Sequence, residues 1–198
     1  MSNLESTSSN LPVKCLWTPG LLFPEKVRAL LFIGEDEVDN QASFTASYDL
    51  ESIYSSGDAL AEEQLVFGYL SANTHPNYRR RGHLTRLTSA LAHLSIGLGF
   101  SEIGGWVESQ YTLQAFARIF GEERLTYRDY HVSPPTFELP MSLRQAVGSL
   151  ERAEAYEDDL ESSESGFGVD IDLSGLRQDD FEAPILLNQP ELPAKDRQ

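Results

Sequence analysis

The segment that most constrains the fold is an arginine- and glycine-rich turn between a short apolar run and a leucine-striped stretch. The apolar run spans residues 65–70 and begins a strand expected over 65–73, and the turn contains Arg79-Arg80-Arg81-Gly82. Over 84–98, leucines recur at spacings of three and four residues, the pattern of one helix face. The order predicts a strand, a turn and a helix whose first N–H groups and positive dipole end face one point. Such a point is suited to phosphate or pyrophosphate.

A second apolar run, residues 100–107, follows the predicted helix directly. Strand, helix and strand in this order predict a βαβ unit with neighbouring parallel strands. Glycines at 97 and 99 are expected to end the helix. The other expected elements are a strand or buried helix turn over 27–33, strands over 42–50, 123–132 and 136–139, a loop or short helix over 55–63, and helices over 112–120 and within 141–160.

The net charge of −16 is concentrated towards the C-terminus. Residues 151–198 hold 14 of the 31 acidic residues but 4 of the 15 basic ones. Nucleic-acid binding requires clustered lysine and arginine, so we expect no nucleic-acid partner. Beyond residue 160 the apolar periodicity is lost, which predicts an extended or disordered tail over 161–198. Two short apolar stretches within it, 169–173 and 185–187, are candidates for docking onto a protein partner.

Localisation and domain organisation are expected to be simple. No apolar run approaches the length of a membrane span, and the first ten residues lack the basic start and apolar core of a secretion signal. The single cysteine, Cys15, excludes an internal disulfide and fits a reducing compartment. We therefore expect a cytoplasmic protein with no membrane partner and, lacking metal-ligand spacing, no metal. The expected units are a disordered tail at 1–12, a domain at 13–150 and an acidic extension at 151–198.

The stretch from Leu65 to Arg128 resembles the GNAT superfamily of acetyl-CoA-dependent N-acetyltransferases. The family signature is Arg/Gln-x-x-Gly-x-Gly/Ala, usually preceded by Pro-x-Tyr. This chain has Pro76-Asn77-Tyr78-Arg79-Arg80-Arg81-Gly82-His83-Leu84, in which Leu84 replaces the final Gly/Ala. An amphipathic helix, a strand ending in Trp106-Val107-Glu108 and a short helix follow in the family's order. The family's Gly-Phe is inverted here to Phe120-Gly121.

The resemblance implies an α/β fold with a mixed, mostly antiparallel central sheet flanked by helices and a βαβ cofactor-binding core. It implies acetyl-CoA as co-substrate, with the strand through 72–74 pairing with the pantetheine arm and the N–H groups of 79–85 holding the pyrophosphate. The strands on either side of the cofactor would splay to admit it. The implied cofactor-binding residues are Ala72, Asn73, Thr74, Arg79, Arg80, Arg81, Gly82, His83, Leu84, Thr85 and Ser109.

The activity that the resemblance implies is transfer of acetyl to a primary amine by direct attack. In this family a carboxylate usually serves as base and a tyrosine often serves as acid. Phe116 stands at the tyrosine position and has no proton to donate. The acid is therefore left open between Tyr111 and Tyr127. The base is left open between Glu108 and the pair formed by Glu62 and Glu63.

The class of acceptor remains open. The acceptor is expected to be a small-molecule or protein amine, and the acidic surface favours a cationic one by steering. Alternatively, the replacements at Leu84 and Phe116 and the acidic tail indicate a scaffold that has lost catalysis and binds a protein partner through that tail.

The three consecutive arginines also fit a solvated patch or a partner for the chain's own acidic tail. His75 and His83 either tune a ligand site or lie on the surface, and His93 is expected on the polar helix face.

Overall fold

The protein forms a mixed α/β fold with two mostly antiparallel sheets. In the computed structural model, the described residues are 11–19, 26–49, 65–67, 71–129, 137–156 and 166–188. The expected mixed, mostly antiparallel α/β class is confirmed at this level. Most of the expected N-terminal tail and the expected loop at 55–63 lie outside the described residues.

The strands are β1 (Lys14–Pro19), β2 (Lys26–Gly34), β3 (Asn40–Asp49), β4 (Leu65–Phe67), β5 (Ser71–Thr74), β6 (Glu102–Val107), β7 (Leu125–Asp129), β8 (Phe137–Glu138), β9 (Phe167–Asp172) and β10 (Ile185–Leu187). The helices are α1 (His83–Leu98), α2 (Gln110–Phe120) and α3 (Leu143–Tyr156). Within the described ranges, no helix is long and apolar enough to cross a membrane.

The first sheet has the strand order β10-β1-β2-β3-β5. Its neighbours are antiparallel except for β1 and β10, which run parallel. Cross-strand partners such as Leu31 and Phe44 share one face, where both are fully buried. The alternation of buried and less buried residues along β3 is the pattern of a strand that faces a core on one side. Strand β1 had no counterpart among the sequence expectations.

The second sheet has the order β4-β6-β9-β7-β8. Strands β4 and β6 are parallel, which confirms the expected parallel pair on either side of α1. Strand β9 lies between β6 and β7 and is antiparallel to both. The apolar residues of β6, β7 and β9 lie on one face, and Phe167, Val169 and Ile171 are all buried there.

The apolar stretch expected as one strand over 65–73 contributes to both sheets. Residues 65–67 pair with β6 in the second sheet, whereas residues 71–74 pair with β3 in the first. The expectation of a single continuous strand is therefore wrong. Because β4 and β5 pair with different sheets, the two sheets diverge between these strands. This divergence is called the fork below.

Helix α1 fills the space against the first sheet as its leucine stripe predicts. Leu87, Leu91 and Leu94 are buried, and the outer leucines of the stripe pack partly buried against the same core. The Tyr48 hydroxyl on β3 lies 3.1 Å from Ser95 Oγ, where the two form a buried hydrogen bond. The helix ends at Leu98, and Gly99 follows with φ 90°, the left-handed conformation in which glycine is favoured.

The expected disordered tail is wrong for residues 166–188. Strand β9 forms the middle of a sheet, and the segment 174–188, called the strap below, runs across α1 to the edge of the first sheet. Both 169–173 and 185–187 therefore dock largely onto this chain's own sheets. The expected boundary at residue 150 falls within α3, and β9, beyond it, pairs with β6 and β7.

Polar contacts fasten the strap to α1. Arg86 binds Glu182 through two hydrogen bonds, of 3.1 Å and 2.5 Å, and donates to the Leu11 carbonyl at 2.8 Å. The Glu182 N–H donates to Ser89 Oγ at 2.9 Å. His93, expected as a polar-face residue, is half-buried with Nδ1 3.1 Å from the Gln178 carbonyl oxygen and Nε2 3.0 Å from Gln178 Nε2.

We expect Ile171→Ala to destabilise the fold strongly, because Ile171 is fully buried in the central strand β9. Truncation of a buried isoleucine costs about 2–5 kcal/mol of unfolding free energy. Urea unfolding with linear extrapolation measures the loss. The control is Val38→Ala, since Val38 is 87% exposed and should change stability by no more than about 0.5 kcal/mol. Equal stability of the two variants would contradict the packing of 166–188 into the core.

Candidate functional site

The candidate site lies at the edge of the fold where β4 and β6 end. Because these strands are parallel, their carboxyl ends meet at one edge. The connection through β5 enters α1 at that edge, and β6 leads into α2 there. Open α/β sheets bind ligands in the crevice outside such strand ends, particularly where neighbouring connections diverge. Residues 75–85 and 108–111 are therefore near one another in the fold.

The loop before α1 is braced by stacking on Tyr78. Residues Pro76–Tyr78 form a 3-10 turn, and His75 Nδ1 accepts a 3.3 Å hydrogen bond from the Asn77 N–H. The Tyr78 ring lies 5.6 Å from the His75 ring and 5.1 Å from the Arg81 guanidinium carbon. Arg81 Nη2 also donates to the Asn77 carbonyl at 3.3 Å. The Pro-x-Tyr segment thus fixes the shape of the arginine turn.

Two residues of this turn have positive φ, Arg80 at 63° and Gly82 at 77°. Arg81 between them does not. A backbone in which the sign of φ alternates from residue to residue turns successive N–H groups towards one concave surface. Such a surface suits an anion. A Cβ on Gly82 would meet nothing within 4 Å, so the glycine is required by its conformation.

The first turn of α1 presents backbone donors without a side-chain cap. Gly82 is the cap residue, and the first turn carries no acidic side chain. The first helical bond runs from the Arg86 N–H to the Gly82 carbonyl at 3.1 Å, so the N–H groups of 83–85 have no partner within the helix. The arginines at 79–81 are exposed beside these donors. The structure thus brings the expected residues 79–85 together.

His83 is buried at the first position of α1, with 2% of its surface exposed. Neither of its ring nitrogens has a hydrogen-bond partner in the described part of the chain. Burial lowers its pKa, and Arg86 and Arg81 lower it further. Neither of the two sequence-based expectations for His83 included burial. Leu84 and Thr85 are half-buried, and Leu84 packs against the core.

Strand β5 carries the residues expected beside the pantetheine arm. The register pairs Ala72 with Phe44, Asn73 with Ser43 and Thr74 with Ala42. In the described part of the chain, β5 is the last strand of the first sheet, so pairing with β3 occupies one of its two edges. Its second edge is on the side of the fork.

Glu108, Ser109 and Tyr111 are grouped at the start of α2. Ser109 caps the helix, because its Oγ accepts a 3.3 Å hydrogen bond from the Tyr111 N–H. Glu108 is exposed, and Tyr111 is 63% exposed. A carboxylate and a phenol are thus available to solvent near the end of β6.

The other expected acid, Tyr127, is separated from this group. It lies on β7, two strand spacings or about 10 Å from β6, with β9 between them. Its hydroxyl is buried with no hydrogen-bond partner among the described residues, and burial raises its pKa to about 12. Phe116 is fully buried against Phe44. Glu62 and Glu63 lie outside the described residues.

The sequence-based expectations did not include a second polar group on the outer face of the second sheet. Asp170 is 3% exposed and accepts a hydrogen bond from Arg128 on the neighbouring strand. Burial raises the pKa of Glu102 on β6, and Asp170 raises it further. Glu102 and Glu108 are at opposite ends of β6, about 20 Å apart. This distance separates Glu102 from the α1 start, so we assign this group to holding β7, β9 and β6 together.

Two cavities of the described part of the chain lie away from the candidate site. One of about 910 Å³ opens between α2 and α3, near Gln114 and Arg144. Another of about 210 Å³ lies beneath the strap, lined by Trp17, Leu98 and Gln178 among others. Neither is lined by residues 72–85. The candidate site is thus defined by backbone donors and charge rather than by an enclosed pocket.

Searches for similar proteins among known families, curated proteins and solved structures found no match to this chain.

We expect Arg80→Gly and Gly82→Ala to change stability in opposite directions. Left-handed backbone costs a residue with a Cβ about 1–2 kcal/mol, so Gly82→Ala should lose roughly that amount. Arg80→Gly should gain up to about 1 kcal/mol after the greater entropy of the unfolded glycine chain is counted. Urea unfolding measures both changes.

The matched control is Arg79→Gly, since Arg79 has φ −62° and gains no relief from losing its Cβ. It should therefore destabilise the protein slightly. A gain for Arg79→Gly equal to that for Arg80→Gly would contradict the assignment of strain to residue 80.

Proposed function

We propose that this protein is an N-acetyltransferase that transfers acetyl from acetyl-CoA to a primary amine by direct attack. The observation that carries the proposal is the fork between β4 and β5, followed by the arginine turn and the uncapped start of α1. This combination supports the splayed, pyrophosphate-binding core that the GNAT resemblance implies. The finer GNAT arrangement of the two sheets is part of the proposal.

The cofactor would lie along the fork. The edge of β5 that pairs with no strand of the described residues supplies backbone groups at 72–74 to the pantetheine amides, as a further strand would. The N–H groups of 83–85, the concave backbone of 80–82 and the positive end of α1 supply the pyrophosphate contacts. Ser109 serves this site by fixing the first turn of α2.

The reaction requires few side chains. The neutral amine attacks the thioester carbonyl carbon, the carbon–sulfur bond breaks, and the thiolate leaves with a proton. The exposed Glu108 carboxylate takes a proton from the substrate ammonium, directly or through water, and so leaves the neutral amine. After the attack, the Tyr111 hydroxyl gives a proton to sulfur and regains the proton that the nitrogen loses as the amide forms. We prefer Tyr111 to Tyr127 because the Tyr127 hydroxyl is buried on the helix side of the sheet.

The acceptor is proposed to be cationic. With a net charge of −16, the protein attracts an ammonium group over a long range, which raises the rate of encounter. Both a small amine and a lysine side chain or N-terminus of a protein meet this requirement. Exposure of Glu108 and Tyr111 leaves room for either class.

The alternative proposal is a scaffold without catalysis that binds a protein partner. The buried Phe116 favours it, because this side chain can donate no proton. The packing of 166–188 into the fold removes part of its support, since the two apolar stretches expected to meet a partner instead pair with strands of this chain. Acetyl-CoA binding without turnover is the outcome that would select this alternative.

We expect acetyl-CoA to raise the melting temperature of the full chain in a thermal-shift titration. A ligand at about 100 times its dissociation constant adds about 2.7 kcal/mol to stability. For a chain of this length the rise is roughly 5–11 °C. The rise should be lost in Gly82→Trp and retained in Gly175→Trp. Both glycines have the same φ within 1° and open space around the position of a Cβ, but Gly175 lies in the turn after β9. Absence of a shift in the wild type, or equal loss in both variants, would contradict the proposed site.

We expect turnover with cationic amines, measured as release of coenzyme A thiol and as added acetyl mass on the acceptor. Glu108→Gln should reduce kcat by about 10²–10⁴-fold if this carboxylate is the base. Tyr111→Phe should also reduce kcat, whereas Tyr127→Phe should not. Wild-type binding of acetyl-CoA without thiol release from any cationic amine would favour the scaffold.

A further inference from the structure

We propose that His83 takes up a proton when an anion binds at the start of α1, so that anion affinity rises as pH falls. The inference deepens the proposed cofactor site and rests on it for the identity of the anion. It assigns to a buried histidine a role in coupling ligand binding to protonation, rather than a role in chemistry.

The burial of His83 is the first ground for this inference. With 2% of its surface exposed and both ring nitrogens without a hydrogen-bond partner in the described residues, the imidazole is stabilised by neither solvent nor protein contacts. A buried polar atom without a partner costs about 1–3 kcal/mol. Burial of this kind disfavours the charged imidazolium, so the protonation of His83 depends on the charges placed near it.

The charges around His83 are the second ground. Arg81 in the turn and Arg86 on α1 both act on the ring, and the positive end of the α1 dipole adds to them. Glu182 on the strap is the carboxylate of this network, and its two oxygens are bound by Arg86. Every one of these charges other than Glu182 opposes an imidazolium. The pKa of the ring is therefore lowered when no anion is bound.

An anion at the N–H groups of 83–85 reverses this balance. It places negative charge within a few ångströms of the backbone of His83 itself, and opposite charge at that range raises a histidine pKa. Because binding equilibria are reciprocal, an anion that raises the pKa of His83 binds more tightly when His83 is protonated. The ring nitrogens are shielded from solvent, so the coupling acts through the electric field and requires no direct bond.

The sign of the effect is fixed by this argument. Between the pKa of His83 without anion and its higher pKa with anion, binding takes up a proton and affinity falls as pH rises. Each unit by which the anion raises that pKa makes binding about tenfold tighter at the acid limit than at the alkaline limit. A site built from arginines and backbone N–H groups alone would show no such dependence near neutrality.

The experiment follows the ring C–H resonance of His83 by NMR in the full chain, from about pH 5 to about pH 8, the range in which histidines titrate. Three samples are compared: no added anion, sulfate, and dephospho-coenzyme A. Both ligands keep a constant charge of −2 on the sulfate or the pyrophosphate throughout this range. Any change in titration therefore belongs to the protein. His83→Gln assigns the resonance, and His93→Gln is the control, because His93 lies further along α1 and contacts Gln178 rather than the arginine turn.

We expect the His83 midpoint to rise on addition of dephospho-coenzyme A, and proton uptake by calorimetry in two buffers to be lost in His83→Gln but kept in His93→Gln. Unchanged His83 titration with dephospho-coenzyme A bound would overturn the inference. If dephospho-coenzyme A fails to bind but sulfate raises the midpoint, the coupling stands and the acetyl-CoA proposal fails. If neither ligand changes the midpoint, the coupling is overturned. Since the titration is measured on the wild type, it does not depend on the folding of a variant.

Discussion

The second sheet depends on the insertion of β9 between β6 and β7. Strands β6 and β7 do not pair with each other, and they are joined only because each pairs with β9, Phe167–Asp172, which lies between them in the described sheet. One face of β9 is buried beneath the helices, and Asp170 on its other face is held by Arg128 of β7. A carboxylate so deeply buried is tolerated only when it is paired. The position of β9 beside β7 therefore depends on the ion pair between Asp170 and Arg128, and the ion pair forms only in that position.

Local patterns in the sequence were sufficient for several elements but not for β1, for β9 or for the assembly of the two sheets. The leucine stripe of α1, the alternation along β3 and the parallel pair around α1 could all be predicted, because each follows from periodicity within one segment. Strand β9 could not, since its residues alternate Val169-Asp170-Ile171-Asp172 within an acidic region. Such a pattern also fits a solvated tail, and only the basic partner at Arg128 and the apolar partners across the sheet distinguish the two. The passage from β4 to β5 is similarly a property of two sheets rather than of one run of residues.

The candidate site, too, could be predicted only in part from the sequence. The turn around Gly82 was recognisable from its arginines, its glycine and the leucine pattern that follows, but its left-handed backbone and the uncapped start of α1 were not predicted. The burial of His83 was not predictable, because an imidazole between arginine and leucine in the sequence can face either way. Tyr111 and Tyr127 were indistinguishable as proton donors until the sheet placed one in solvent and the other beneath the helices. The directions in which the side chains of His83, Tyr111 and Tyr127 point thus decide most of the roles that the sequence left open.

The parallel pairing of Lys14 with Ile185 brings the first and last described strands side by side. During synthesis on the ribosome, β1, β2 and β3 leave the exit tunnel long before the segment that completes the edge of their sheet. Likewise α1 is made before Glu182, which holds Arg86, and β6 before β9. The nascent chain therefore exposes two incomplete sheets until nearly all of the described sequence has been translated. Contacts between such distant segments form slowly, because their loop-closure entropy is lost before they are stabilised. Among the described residues, neither sheet can therefore be completed before β9 and β10 have been synthesised.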